Sequence, residues 1–303
     1  KYLDLYRNGQ FSKLFELEST QFDYFNDEKA YEKYINDNYG NDFSEIKALK
    51  TKSEGENLNY NIYLGNKKIS EIALTPDGKK GKYDMDGWNL SAHKEYPKNQ
   101  SVKVCIPSGT TLFIDGKEAG KDYLSTEKYT VHDYSELNDQ NLAPKFEVYE
   151  VKNLLNKPDV KVKNKSGNEL TLTENNGSFY ALEAIPADLG KMIKEKSEFV
   201  AVKYALYSIL DLKFEDISPY FFKDSGYYKK IKSFANDWYR EHTFSYDNVK
   251  FGEIVQYDET HIVTNISFTY HINIGYKTID YDVKYRMSFI KVGEEWLVAQ
   301  MKL

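Results

Sequence analysis

The sequence predicts an α+β protein of more than one domain. Two observations carry this. Near the C-terminus, two long stretches alternate apolar and polar residues with a period of two, directly after stretches with a helical period. The order of helices, then strands, also occurs at the N-terminus, and a run of short strands and turns separates the two. At 303 residues the chain has room for two or three domains, and the expected boundaries are 1–95, 96–185 and 186–303.

Composition narrows the function classes. Hydrophobic residues make up 41% and charged residues 29%, ordinary for a soluble globular chain. Net charge is −6 and the only arginines are Arg7, Arg240 and Arg286. A nucleic-acid reader needs a basic face and usually arginine forks, so no nucleic-acid partner is expected. The single cysteine, Cys105, sits in the apolar run SVKVCIP and reads as a buried thiol. No disulfide framework or zinc set is possible from it. The five histidines have no metal spacing, so no metal or cofactor is expected. No stretch approaches the ~20 apolar residues of a membrane span. The chain opens on Lys1 without a methionine, so a leader or membrane anchor is expected ahead of it.

The N-terminal block opens on helices. YLDLYRNGQFSKLFEL has helical spacing, weakened at Gly9, and FNDEKAYEKYINDNYG has a cap at Asn26 or Asp27, a stripe of Tyr31, Tyr34 and Ile35, and Gly40 as stop. The period then changes to two, with a Gly65-Asn66 hairpin turn and a strand leading to Trp88. The middle block reads as all-β: a Pro-Ser-Gly turn and an Asp-Gly turn in VCIPSGTTLFIDGKEAG, further turns at KSGNE and ENNGS, and an unassigned stretch at YSELNDQNLAPK. The last block begins with a long helix, ADLGKMIKEKSEFVAVKYALYSIL. A second follows in SGYYKKIKSFANDWYREH, with Ile231, Ala235 and Trp238 on one stripe. Four strands follow.

The pairing of two of those strands can be read directly. Even positions from Ile262 to Ile274 are apolar apart from Thr264, and odd positions from Ile279 to Phe289 are apolar. A turn at Gly275-Tyr276 would pair Ile272 with Ile279, Tyr270 with Tyr281, Phe268 with Val283, Ile266 with Tyr285 and Ile262 with Phe289. A one-residue slip would turn every apolar side chain to the wrong face. The opposite face would then pair His271 with Asp280, Asn265 with Arg286 and Ser267 with Lys284. The final GEEWLVAQMKL reads as a buried closing strand with Trp296 in the core.

Helices followed by a curved antiparallel sheet and this GEEWLVAQMKL ending resemble the NTF2-like (SnoaL-like) superfamily. The resemblance implies that residues 186–303 form a cone-shaped α+β domain and that the N-terminal block is a second, similar one. GKYDMDGWNL followed by VCIPSGTTLFIDGKEAG resembles the extracellular region of TcaA-like and YvbJ-like proteins of Gram-positive bacteria, and PSGTTLFIDGKEAG is similar to a PEGA-type β module. That resemblance implies a cell-envelope protein on the extracellular face of the membrane, held by a lipoprotein or membrane-helix anchor. Its partners would be a cell-wall polymer, an envelope protein or a small apolar ligand.

The two central strands offer the cone no aspartate, glutamate or histidine, so they supply no general base. Asp211, Asp237 and His242 are the helical candidates that could. The expectation is therefore a non-catalytic binding or scaffolding module with no catalytic residues. The alternatives are an isomerase- or hydratase-class enzyme, or a carrier of hydrophobic ligands. Trp238, Phe268, Tyr270, Tyr281 and Tyr285 are the candidate lining of a ligand-binding cone; the same rings serve equally as core filling. His271 opposite Asp280 reads as a cross-strand polar contact, and the polar face is also a candidate homodimer contact. The DMDG at Asp84–Gly87 resembles a calcium loop but lacks its downstream glutamate, and reads as a turn. Lys161, Lys163 and Lys165 share one side of a strand and read as a charged edge, the alternative being attraction to an anionic envelope polymer, for which three exposed lysines are few under screening.

Overall fold

A computed structural model describes residues 1–18, 22–51, 56–80, 86–93, 96–175, 177–209, 211–234 and 242–303. The fold is α+β. Its described strands form three four-stranded sheets and one three-stranded sheet. The chain divides into two compact units, one comprising 1–102, 114–117 and 151–160, the other 103–113, 118–150 and 161–303.

In the first unit three helices precede an antiparallel sheet. α1 (Tyr2–Arg7) and α2 (Phe11–Glu18) are separated at Gly9, whose φ of 60° lies in the left-handed region. The glycine that weakens the sequence pattern therefore divides one expected helix into two. α3 (Glu28–Tyr39) is capped by Asp27, whose carboxylate accepts from the amide of Ala30, and stops at Gly40 with φ 73°. Strands β1 (Ile46–Lys50), β2 (Leu58–Leu64), β3 (Lys67–Lys80) and β4 (Asp86–His93) pair in chain order. The Gly65-Asn66 turn joins β2 to β3, with Leu64 opposite Lys67. Tyr6, Leu14, Tyr31, Ile35 and Ile62 are at the centre of the core between helices and sheet. Buried Asn26 donates to the carbonyl of Asn153 and accepts from the amide of Leu155.

The middle of the chain is rich in short strands: β5 (Gln100–Pro107), β6 (Thr111–Ile114), β7 (Lys117–Glu118), β8 (Phe146–Leu154), β9 (Val160–Lys163), β10 (Thr171–Asn175) and β11 (Ser178–Leu182). They form sheets in the orders β10-β11-β5-β8 and β7-β6-β9. The Asp115-Gly116 turn has both φ values positive, at 50° and 79°, as a type I′ hairpin requires. β9 is a sheet edge. Lys161 lies 3.8 Å from Glu169 and Lys163 sits over the ring of Phe113. Cys105 is buried, and burial pushes its thiol up to about 12.

The C-terminal part of the second unit starts with α4 (Ala187–Ser208), α5 (Phe214–Ile217) and α6 (Gly226–Lys232). α6 is capped by the Ser225 hydroxyl, which accepts from the amide of Tyr228. Four antiparallel strands follow: β12 (Thr243–Asp258), β13 (His261–Asn273), β14 (Thr278–Val292) and β15 (Glu295–Lys302). Every β13–β14 pair read from the sequence is present, from Ile272 with Ile279 to Ile262 with Phe289. The Gly275 φ of 90° and the Ile274 amide bonded to Lys277 O complete the expected turn.

Curvature comes from bulges. β12 spends 16 residues against the 13 of β13, and the excess appears as three one-residue register shifts, all on β12. Each extra residue bends the strand and increases its twist. A further shift near Ala299 lets Val298 and Met301, three residues apart, both enter the core between the helices and the sheet, while Ala299 turns to the other side. The closing strand is buried, with Trp296 in the same core as Phe289 and Met287.

Candidate functional site

The concave face of the C-terminal sheet is filled with rings. The Tyr204 ring of α4 lies 6.1 Å from that of Tyr285, edge to face, and Tyr285 lies 6.2 Å from Phe268. Phe268 continues to Tyr270 at 6.3 Å, and Tyr270 stacks on both Phe244 and Tyr281, at 5.8 and 5.1 Å. Such offset and edge-on pairs add to the gain from burial alone. Phe268 and Tyr285 are 3% and 5% exposed, while Tyr270 and Tyr281 are half-buried. Four of the five residues proposed as cone lining are thus brought into one continuous cluster. Trp238, the fifth, lies outside the described residues, as do Ala235 and Asp237.

The electrostatics suit packing better than proton transfer. Burial drives the phenols of Tyr285 and Tyr227 well above the ordinary tyrosine range, and raises that of Tyr270. A general base should titrate near the working pH, and these groups move away from it. The polar side chains in this core are small. Ser197 donates to Ile193 O at 2.6 Å on its own helix, and Thr264 Oγ1 is buried without a hydrogen-bond partner among the described residues.

Two of the three helical candidates meet. His242 Nε2 lies 3.1 Å from Asp211 Oδ2, with the imidazole buried and the carboxylate exposed. The pair joins the loop after α4 to the start of β12.

The opposite face of the sheet has two zones. Toward the β13–β14 turn it is polar. His271 is half-buried between Asp280 (Nδ1 to Oδ1 2.7 Å) and Asp247 (Nε2 to Oδ1 3.3 Å), and the hydroxyl of Thr269 donates to Asp282. The cross-strand contact read from the sequence is therefore part of a bridge across β12, β13 and β14. The hydrogen bond to Asp280, outweighing the slight burial, raises the imidazole above its ordinary value, with Asp247 adding to it.

At the other end this face is covered, which the sequence reading did not anticipate. Residues 129–143, including most of the stretch left unassigned, lie across it. Val131, Tyr134 and Leu137 pack on Tyr257, Val263, Ile290 and Ala299. The Tyr134 hydroxyl lies 2.8 Å from Phe289 O and 3.1 Å from Ile262 O, so one proton is shared between two main-chain carbonyls. Arg286 gives Nε and Nη2 to the two oxygens of Asp133, and Tyr257 donates to the same carboxylate. Burial pulls the Asp133 carboxyl upward, but the hydrogen bonds from Arg286 and Tyr257 outweigh it and hold it below the usual range. His261 closes the end of this strap, with Nε2 donating to Leu142 O at 2.7 Å and Nδ1 2.8 Å from Asp258. The sequence signal for the strap is slight: the apolar residues of YTVHDYSEL fall three apart, matching neither strand nor full helix.

Among the described residues no helix is long and apolar enough to cross a membrane. Asp84 and Met85 of the DMDG stretch lie outside the described residues.

No family description matches the chain, and no curated protein matches it. Among solved structures, one similar chain is an "Ntf2 like protein involved in plasmid conjugation", 10% identical, covering 98% of this chain and 96% of its own length at a TM-score of 0.26. At that TM-score the likeness carries no argument about fold or activity.

Proposed function

We propose that this chain is a non-catalytic binding or scaffolding protein of a Gram-positive cell envelope, acting on the extracellular face of the membrane. The observation that carries the first half is the interior of the C-terminal sheet. Rings of Phe268, Tyr270, Tyr281 and Tyr285 occupy the concave face, and burial moves the phenols of Tyr270 and Tyr285 away from ionisation. Three helices on a bulged four-stranded sheet support an NTF2-like assignment for residues 186–303, and α1–α3 before β1–β4 support the same for the N-terminal block. The middle β module would then be the connecting piece. The strap at 129–143, fixed by an ion pair and by a phenol on main-chain carbonyls, suits a rigid spacer better than a moving lid.

The envelope half rests on the GKYDMDGWNL and PSGTTLFIDGKEAG motifs and their TcaA-like order. The partner would be a cell-wall polymer or an envelope protein. Sedimentation of the whole chain with purified Gram-positive cell walls tests this at physiological salt, where weak surface charge effects are screened. The expected result is depletion of the chain from the supernatant. A chain that stays in solution and turns over a small molecule overturns the proposal.

A further inference from the structure

The inner face of the N-terminal sheet is longer than the helix laid on it. β3 has 14 residues, about 45 Å at strand rise. α1 has six residues, about 9 Å at helical rise. The sheet stays apolar where the helix stops. Tyr60 lies opposite Ile72, Leu74 opposite Leu90, and Pro76 opposite Trp88. Tyr60, Ile72, Leu74, Trp88 and Leu90, with Leu3 and Ala48, line a concave pocket of about 510 Å³, inside the ~300–1,000 Å³ range of small-molecule sites. Trp88 is 38% exposed at its edge.

The mouth of the pocket is charged. Lys1, Asp4 and Arg7 stand there. Arg7 gives Nη2 to Ile46 O at 3.0 Å and Nη1 to Asp4 at 3.3 Å, which uses two of the five N–H donors of a guanidinium. The Arg7 guanidinium thus keeps donors to spare at the rim, beside a floor of leucines and an indole. Apolar chain atoms gain by leaving water in such a floor, and an anion finds a charge-assisted donor at its rim. A cationic head would meet repulsion, and a neutral head would forgo the charged hydrogen bond.

We propose that this pocket binds an apolar molecule carrying a single anionic group, a medium-chain carboxylic acid in kind, with its chain against Leu74, Leu90 and Trp88 and its carboxylate at Arg7. The site goes beyond the envelope reading and does not depend on it.

Titration of the whole chain with decanoate, decanol and decyltrimethylammonium, followed by calorimetry and tryptophan emission, tests the site. Trp88 is one of three tryptophans, so Trp88→Phe assigns the optical signal. The expected result is one saturable decanoate site, about tenfold tighter than decanol as befits a charged hydrogen bond, with no binding of the cation. Arg7→Gln should bring decanoate down to the level of decanol, and Leu74→Asp should abolish both. Where Leu74→Asp fails to fold by circular dichroism, Trp88→Ala at the exposed edge should weaken decanoate binding instead. No saturable binding, equal binding of all three probes, or decanoate binding untouched by Leu74→Asp and Trp88→Ala each overturns the site.

Discussion

Arg286 on β14 grips Asp133 of the strap with two nitrogens, at 2.6 and 2.7 Å, in the fork geometry that only a guanidinium provides. The two residues are 153 positions apart, and their pairing fixes the strap to the sheet.

Asp133→Asn keeps the shape and removes the charge. Because Arg286 is partly exposed and can turn to water, the loss should be about 1–2 kcal/mol, at the lower end for a charged hydrogen bond. The folded carboxyl lies below its unfolded value. The stabilisation is therefore present above the unfolded value, near 3.9, and is lost as pH falls through the depressed folded value. Urea unfolding of both proteins between pH 2 and 7 should show the gap closing at the acid end. A gap that stays constant to pH 2 contradicts the assignment.

Tyr134→Phe isolates the shared hydroxyl proton. The ring stays in place while Phe289 O and Ile262 O lose a donor inside the core, a loss of about 1–2 kcal/mol. Amide exchange along β13 and β14 should speed up near these positions. Unchanged stability and exchange would mean that the hydroxyl holds nothing together.

His271 behaves in the opposite sense to Asp133. Its folded value is raised, so its contribution is full below the unfolded value near 6.5 and fades as pH rises through the folded one. An NMR titration of its ring should give a midpoint above 6.5, and Asp280→Asn should lower it. A midpoint at or below 6.5 in the unsubstituted chain refutes the three-strand bridge.

Legibility in the sequence followed the regularity of the backbone. β13 and β14 alternate without interruption over their shared length, so one turn glycine set their whole register. β12 could not be aligned in the same way, because three bulges reverse the sense of its alternation. The strap was invisible for a related reason. It contains only two short turns of 3-10 helix, at His132–Tyr134 and Gln140–Leu142, and it is held by contacts more than 120 residues away in sequence. The aromatic cluster of the cone was legible as residue types on one face. Whether those rings fill or line the cone depends on α4, whose Tyr204 closes against Tyr285.

The most direct test of the filled cone is the unfolding free energy of Tyr285→Ala. If the ring is core packing among Tyr204, Phe268 and Tyr270, truncation should destabilise the chain by about 3–5 kcal/mol, as for other buried aromatic-to-alanine changes. If the ring lines an open ligand pocket, its loss should cost less than about 1 kcal/mol, in the range of surface substitutions, and that result would contradict the account.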